Sequence, residues 1–383
     1  MNFDLIFALI FYGLLVLFYI KNKKKFSKEG LLLLYRTKLG LLLMDKLAKK
    51  YPKLLNFLGY FSVFIGFIGM LSIFYILIKG TYGLIFVPDS APVLAPVLPG
   101  ISIPGLPVLS FWHWIIAIFF VAVIHEFAHG VYARLYNIKI KSSGFAFLGP
   151  ILAAFVEPDE KIMKKASNKK QLTIISAGPF INIVLGFLFL LFFIFIFLPL
   201  QSNLFVVDGV NIVNVEQNSP AALSGLTSGT LITQINNEEV LDQGRLVTVI
   251  QDSNGESVNF ITDKGEFEVK PEFKNDKYYV GVSVTNNVAV KNNIPEFILP
   301  LVKWFNMLIY WLWVISLGIG LFNLLPLGPI DGGRMFYVAM LSFFNDRKAM
   351  QIFKVVSFIS LTLIVINLLP YLLKLFKWII NLF

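Results

Sequence analysis

The sequence predicts a polytopic α-helical membrane protein of about six transmembrane helices with one inserted α+β domain, and three observations predict it. Of 383 residues, 57% are hydrophobic and only 15% charged, with a mean hydropathy of +0.74; soluble domains are less apolar and more charged than this. Apolar runs long enough to cross about 30 Å of hydrocarbon recur along the chain. Between the fourth and fifth of them, residues 201–291 switch to alternating strand-like runs, polar turns and ordinary charge. The net charge of +10 does not point to nucleic acid. Its lysines cluster beside apolar spans, where they act as topology signals and contacts to anionic headgroups of the bilayer. There are no cysteines, so any metal has to be held by histidine and carboxylate.

The first span, 3–20, lacks a basic leader and a small-residue cleavage site and is expected to be a retained helix rather than a signal peptide. Lys21–Lys53 carries eleven Lys/Arg against Glu29 and Asp45, which predicts a cytoplasmic loop and an N-terminus outside. Within it, Leu31–Met44 is apolar but interrupted by Arg36 and Lys38, and is expected to lie along the membrane surface. A second span at 57–79 leads to Thr81–Ser110, with prolines at 88, 92, 96, 99, 104 and 107 and only Asp89 charged. That loop cannot be a regular helix, and it falls on the outer side. Residues 1–110 thus form an N-terminal two-helix region.

The third span, 111–136, contains Ala122–Tyr132, AVIHEFAHGVY, with two of the three histidines in the chain. On a helix His125 and His129 differ by about 40° and rise about 6 Å, so both imidazoles share a face and grip one cation. Glu126 is turned by about 100°, beside the ion without being a third ligand, as a general base for a metal-activated water requires. Two core histidines bonded to neighbouring helices are the bland alternative; it leaves Glu126 unexplained. Ionisable groups in a hydrophobic span mark function by default. His125 lies about 21 Å from the outer end of the span, in the cytoplasmic third. His113 is about 18 Å further up the helix, too far to be a ligand.

The next loop is again basic and cytoplasmic. In it Gly144–Val156, broken by Gly149-Pro150, reads either as a re-entrant hairpin or as a hydrophobic loop packed on the bundle. The fourth span, 171–199, opens with Ser176-Ala177-Gly178-Pro179-Phe180-Ile181-Asn182. Small residues there allow a close helix approach, and Asn182 is either interhelical glue or a hydrogen-bond donor facing the metal cavity. Residues 111–200 form the first part of the catalytic core, and 201–291 one soluble outer domain. Asp208-Gly209-Val210, before its first strand, is either a plain turn or a carboxylate-binding loop, with Gly209 and Val210 as peptide-binding candidates.

The fifth span, 304–325, runs into Asn323-Leu324-Leu325-Pro326-Leu327-Gly328-Pro329-Ile330-Asp331-Gly332-Gly333-Arg334. A straight helix to Asp331 would be about 40 Å long, so the prolines and glycines must break it and let Asp331 turn back toward the bundle. Asp331 is the best third ligand on the cytoplasmic side, with Glu157 and Asp159 as competitors. Two histidines and a carboxylate leave one open position on a catalytic zinc. The sixth span, 355–373, looks structural and completes the core part 292–383.

Three motifs together, His125-Glu126-Phe127-Ala128-His129, Gly178-Pro179-Phe180-Ile181-Asn182 and Asn323-Leu324-Leu325-Pro326 with Ile330-Asp331-Gly332-Gly333, resemble those of the site-two protease family, in the family's order. The resemblance covers roughly residues 105–345, with Ile330 where the family usually has leucine. The interval 201–291, with Asn218-Ser219-Pro220-Ala221-Ala222 and Leu231-Ile232-Thr233-Gln234-Ile235, resembles a PDZ domain. The resemblance implies a multi-pass cell-membrane zinc metalloprotease with its active site near the cytoplasmic face and the PDZ-like domain outside. It implies one Zn²⁺ on His125, His129 and Asp331, Glu126 as base, and Asn182, Asn323 and Gly149 as candidate substrate-binding residues. The expected partners are transmembrane protein substrates already trimmed by another protease. The rival readings are a membrane metal transporter using the same histidines, or a non-catalytic scaffold whose PDZ-like domain does the work.

Overall fold

A computed structural model describes residues 3–380 apart from Leu31, Asp89, Ser102, Pro104, Gly149, Pro150, Asn275, Asn292, Asn293 and Glu296. In chain order, α1 (Phe3–Asn22) leads to the hairpin β1 (Phe26–Glu29) and β2 (Leu32–Thr37), then α2 (Leu41–Lys50) and α3 (Pro52–Phe86). Next come α4 (Phe111–Leu135), β3 (Ile140–Leu148), β4 (Ile151–Pro158), α5 (Glu160–Lys165) and α6 (Asn168–Phe192). The inserted stretch comprises α7 (Leu198–Leu204), β5 (Phe205–Val215), α8 (Pro220–Leu223), β6 (Leu231–Ile235), β7 (Glu238–Glu239) and α9 (Gln243–Asp252), followed by β8 (Val258–Thr262), β9 (Gly265–Val269), β10 (Glu272–Lys274), β11 (Lys277–Tyr279) and β12 (Val282–Val290). α10 (Ile298–Phe322), α11 (Asp331–Met340) and α12 (Asp346–Ile380) close the chain. Two compact units result, Met1–Phe193 with Met307–Phe383, and Ile194–Asn306.

Among the described residues six helices are long and apolar enough to cross a membrane: Asp4–Lys25, Pro52–Phe86, Phe111–Leu135, Asn168–Leu204, Ile298–Phe322 and Asp346–Lys374. They correspond to the six expected spans with shifted ends: α12 starts earlier, on the polar stretch Asp346–Lys354 that an apolar run misses, α3 continues through Thr81–Phe86, a stretch expected in the proline-rich loop, and α4 and α10 end at Leu135 and Phe322 rather than at 136 and 325. α3 begins on Pro52, whose missing N–H is unneeded in a first turn. α4 ends where Asn137 turns left-handed at φ 59° and Ile138 N–H donates to the Ala133 carbonyl at 2.8 Å. That 6→1 closure stops the helix and sends the chain into β3. Asp159 caps α5 by accepting from Lys161 and Ile162 N–H, and those amides hold its carboxyl below the usual range.

Four antiparallel strands pair in the order β1-β2-β3-β4. Leu31–Met44 is therefore not one stretch on the membrane surface. Leu32–Thr37 is a strand paired with β3, Leu33 opposite Phe147 and Thr37 opposite Ser143, and the helix starts only at Leu41. Leu31–Leu34 is a short apolar run without a period and Arg36 and Lys38, two apart, give only one interval, so nothing in the segment separates strand from helix. The Gly144–Val156 segment holds two paired strands, with Gly144 opposite Phe155 and Leu148 opposite Ile151. α2 packs on the motif helix: Met44 is 2% exposed, and its sulfur would lie 2.5 Å from a Cβ added at Gly130.

The second unit is built on a sheet of order β12-β5-β6-β8-β9, with β7 paired to β6. Val210, Ile212, Ile232, Ile235, Leu246 and Phe260 are among its buried core. Asn236 and Asn237 take φ of 52° and 66° between β6 and β7, the positive pair that a two-residue hairpin demands.

Candidate metal centre

α4 supplies two histidines and the tight entry to α11 supplies the carboxylate. After Phe322 the chain folds so that Gly332 N–H donates to the Asn323 carbonyl at 2.6 Å. A Cβ at Gly332 would collide with the Leu324 carbonyl, and one at Gly333 with that of Leu327. Only paired glycines let the loop close this far, and the closure delivers Asp331 to the bundle. There Asp331 Oδ2 lies 3.0 Å from His125 Nε2 and 3.2 Å from His129 Nε2, and the two Nε2 atoms are 3.1 Å apart.

Those three distances test whether a cation fits. Ligand atoms about 2.0–2.1 Å from a tetrahedral zinc stand about 3.3 Å from one another, close to the triangle seen. Three lone-pair atoms this near would repel unless a cation or proton lay between them. Their side chains are only 8%, 12% and 15% exposed for His125, His129 and Asp331, so water does little to screen the repulsion. A cation with one vertex left open satisfies the set.

Neighbouring groups fix the ligands. His129 Nδ1–H donates to the Ile174 carbonyl of α6 at 2.7 Å. Asn182, fully buried, has its side-chain amide 2.9 Å from His125 Nδ1. Gly178 is the wall: a Cβ there would sit 2.6 Å from His125 Nε2 and closer still to His129 Nε2. Pro179 cannot donate to the Ile175 carbonyl, so the α6 backbone bonding is opened beside the carbonyl that His129 uses.

Glu126 shares this neighbourhood, with one ligand atom each of His125, Glu126 and His129 within 4.8 Å of one another. Its Oε2 accepts from Val156 N–H of β4 at 3.0 Å. It also lines a cavity of about 100 Å³ with Thr37, Gly40, Phe127, Ser143 and Ala154. Of the competing ligands, Glu157 accepts from Ser142 Oγ at 2.8 Å and from Arg36 Nε at 3.5 Å, and Asp159 caps α5; neither joins the triangle. His113 pairs with Ser110 at the start of α4.

The remaining candidates divide. Asn182 touches a ligand rather than open space. Asn323 contributes its main-chain carbonyl to the Asp331 loop, and its side chain makes no hydrogen bond among the described residues. Gly149 lies outside the described residues. Gly209 and Val210 do not form a peptide-accepting edge: they sit within β5, which is paired with β12 on one side and β6 on the other, and Val210 is fully buried opposite Asn286 and Ile232. Of the two edge strands, β9 and β12, β12 is entered through Gly281 at φ 83° and flanked by α9, whose Gln243 donates to the Val284 carbonyl at 2.7 Å. Sequence reasoning missed the Ile174 carbonyl and the Val156 amide, since main-chain groups carry no signal in residue type.

The profile of peptidase family M50 matches residues 113–349. An uncharacterised protein of Methanocaldococcus jannaschii is 30% identical over 336 residues, covering 85% of this chain and 82% of that one. The zinc metalloprotease RasP of Shouchella clausii is 24% identical over 240 residues, 49% of this chain and 54% of the relative. The solved PDZ domain of an SdrC-like protein from Listeria monocytogenes is 23% identical, covering 20% of this chain and 87% of that domain at a TM-score of 0.19.

Proposed function

The chain belongs to peptidase family M50, and from that premise we propose that it is an intramembrane zinc metalloendopeptidase hydrolysing peptide bonds within or near transmembrane segments. The observation that carries this reading is the triangle of His125 Nε2, His129 Nε2 and Asp331 Oδ2 with Glu126 beside it. Zinc held there supplies Lewis acidity, bringing the pKa of water toward about 7 and polarising a scissile carbonyl.

This chain's own residues supply the rest. Glu126, anchored through Oε2 to Val156 N–H, takes a proton from the attacking water and returns it to the leaving amine. The substrate must be extended, since an α-helix hides its carbonyls in internal hydrogen bonds. β4 offers it a template as a sheet edge. Val156 N–H points away from β3, so by alternation the amides of Ala154 and Leu152 do too. A strand added along those amides runs past the carboxylate of Glu126.

The basic segments Lys21–Lys53 and Lys139–Lys170 support a centre on the cytoplasmic side and a PDZ-like unit on the outer side. From there that unit screens membrane-tethered substrates for a trimmed outer domain, with the β12 edge beside α9 as its peptide site. A transporter would need further ligands along a path, and among the described residues one metal-competent cluster is found. The test is Glu126→Gln in purified full-length protein. Zinc content should stay at the wild-type level while cleavage of a model membrane segment falls about 10²–10⁴-fold; full retention of cleavage would refute the role.

A further inference from the structure

His125 and His129 enter the triangle through the same atom, Nε2, but their other nitrogens meet different partners. The Nδ1 of His129 faces the Ile174 carbonyl at 2.7 Å. A carbonyl only accepts, so the proton is on Nδ1 and the Nε2 lone pair is free. The Nδ1 of His125 faces the Asn182 amide at 2.9 Å, whose two ends have the same shape and opposite hydrogen-bonding sense.

The choice between those ends has chemical consequences. If the NH₂ end faced the ring, Nδ1 would accept and the ring proton would sit on Nε2, between Asp331 and His129, where it blocks ligation. In that arrangement the Asn182 side-chain oxygen is also buried with no partner, which costs about 1–3 kcal/mol. If the oxygen end faces the ring, Nδ1–H donates to it and Nε2 presents its lone pair to the cation. Asn182 has no room to turn elsewhere: it is 0% exposed, and α10 presses in at Gly320, where an added Cβ would lie 3.2 Å from Asn182 Cβ.

We propose that Asn182 is a positioning residue for the metal: its side-chain oxygen accepts the His125 Nδ1 proton and so fixes the tautomer that ligates through Nε2. This rests on the reading of the triangle as a cation site, and it takes the place of the expectation of Asn182 as a donor facing the metal cavity. Both histidines are then oriented by oxygen acceptors on α6, one from the main chain and one from a side chain. Such partners typically contribute 10–100-fold in metal affinity.

The test compares zinc affinity, by chelator competition, in full-length wild type, Asn182→Asp and Asn182→Leu. Aspartate keeps the acceptor and loses the donor; leucine has a similar size and neither. The expected result is affinity near wild type for Asn182→Asp and about 10–100-fold weaker for Asn182→Leu. ¹⁵N spectra of histidine-labelled protein, with three histidines to assign, should show His125 protonated at Nδ1 when zinc is bound. Asn182→Asp releasing zinc as readily as Asn182→Leu, or both holding it as the wild type does, overturns the assignment alone. Wild type that takes up no zinc overturns the metal-site reading and the assignment with it.

Discussion

The sharpest perturbation is a single methyl group, Gly178→Ala. An added Cβ would lie 2.6 Å from His125 Nε2 and closer still to His129 Nε2, and ordinary contact begins at 3.4 Å, so helix α6 or the imidazoles must give way by at least about 0.8 Å. Metal sites hold their ligand distances to within about 0.2 Å. The added carbon therefore cannot be absorbed without spoiling the triangle. Overpacking a tight site costs about 1–3 kcal/mol, which charged against the metal-bound form corresponds to about 5- to 150-fold in zinc affinity. Alanine also meets Pro179 directly after it, where a Cβ disfavours helical backbone, so its better helix propensity gives little back. Gly318→Ala in α10 is the control, because nothing lies within 4 Å of its Cβ. Zinc affinity by chelator competition and cleavage of a membrane-segment reporter should fall together in Gly178→Ala and stay level in Gly318→Ala. A Gly178→Ala protein with wild-type affinity would refute the claim that α6 walls the site this closely.

Other expectations follow from the same geometry. Ala154→Pro removes one outward-facing amide of β4 without touching the β3 ladder; peptide cleavage should drop while zinc content is unchanged, and undiminished cleavage would remove β4 as the substrate template. Deleting residues 201–291 should let untrimmed substrates be cut at rates approaching those of trimmed ones, read by comparing paired long and short reporters, and unchanged discrimination would end the screening role. Phe260→Ala, at a fully buried position, should destabilise the inserted unit by about 3–5 kcal/mol, measured by its thermal unfolding, while the zinc stoichiometry of the protein holds.

The motif helix was legible because its information is local: a four-residue spacing decides which imidazoles share a face, whatever packs around them. Asp331 is 206 residues from His125, and it was reachable only because topology confined the third ligand to one side and Gly/Pro content required the chain to turn there. Leu32–Thr37 was read as part of a surface segment because its pairing with β3 lies more than a hundred residues away in sequence. Gly209-Val210 failed for the same reason: a glycine before a valine looks alike in an edge strand and in a central one, and only the sheet order separates them. Asn182 was flagged as polar among apolar neighbours, but its partner depends on how α4 and α6 meet.

What orients the site is mostly main chain. His129 is set by the Ile174 carbonyl and Glu126 by the Val156 amide, and both groups survive any side-chain replacement that leaves the backbone in place. Apolar exchanges at Ile174 or Val156 should therefore be tolerated so long as volume is kept, whereas proline at Val156 would strip Glu126 of its donor. Gly178 is constrained for the converse reason, since it acts through the absence of a side chain. On the proposed reading of a centre within hydrocarbon this arrangement is an advantage, because each peptide group there has to be bonded somewhere. Using two of them to hold ionisable side chains satisfies that demand without bringing further polar residues into the span.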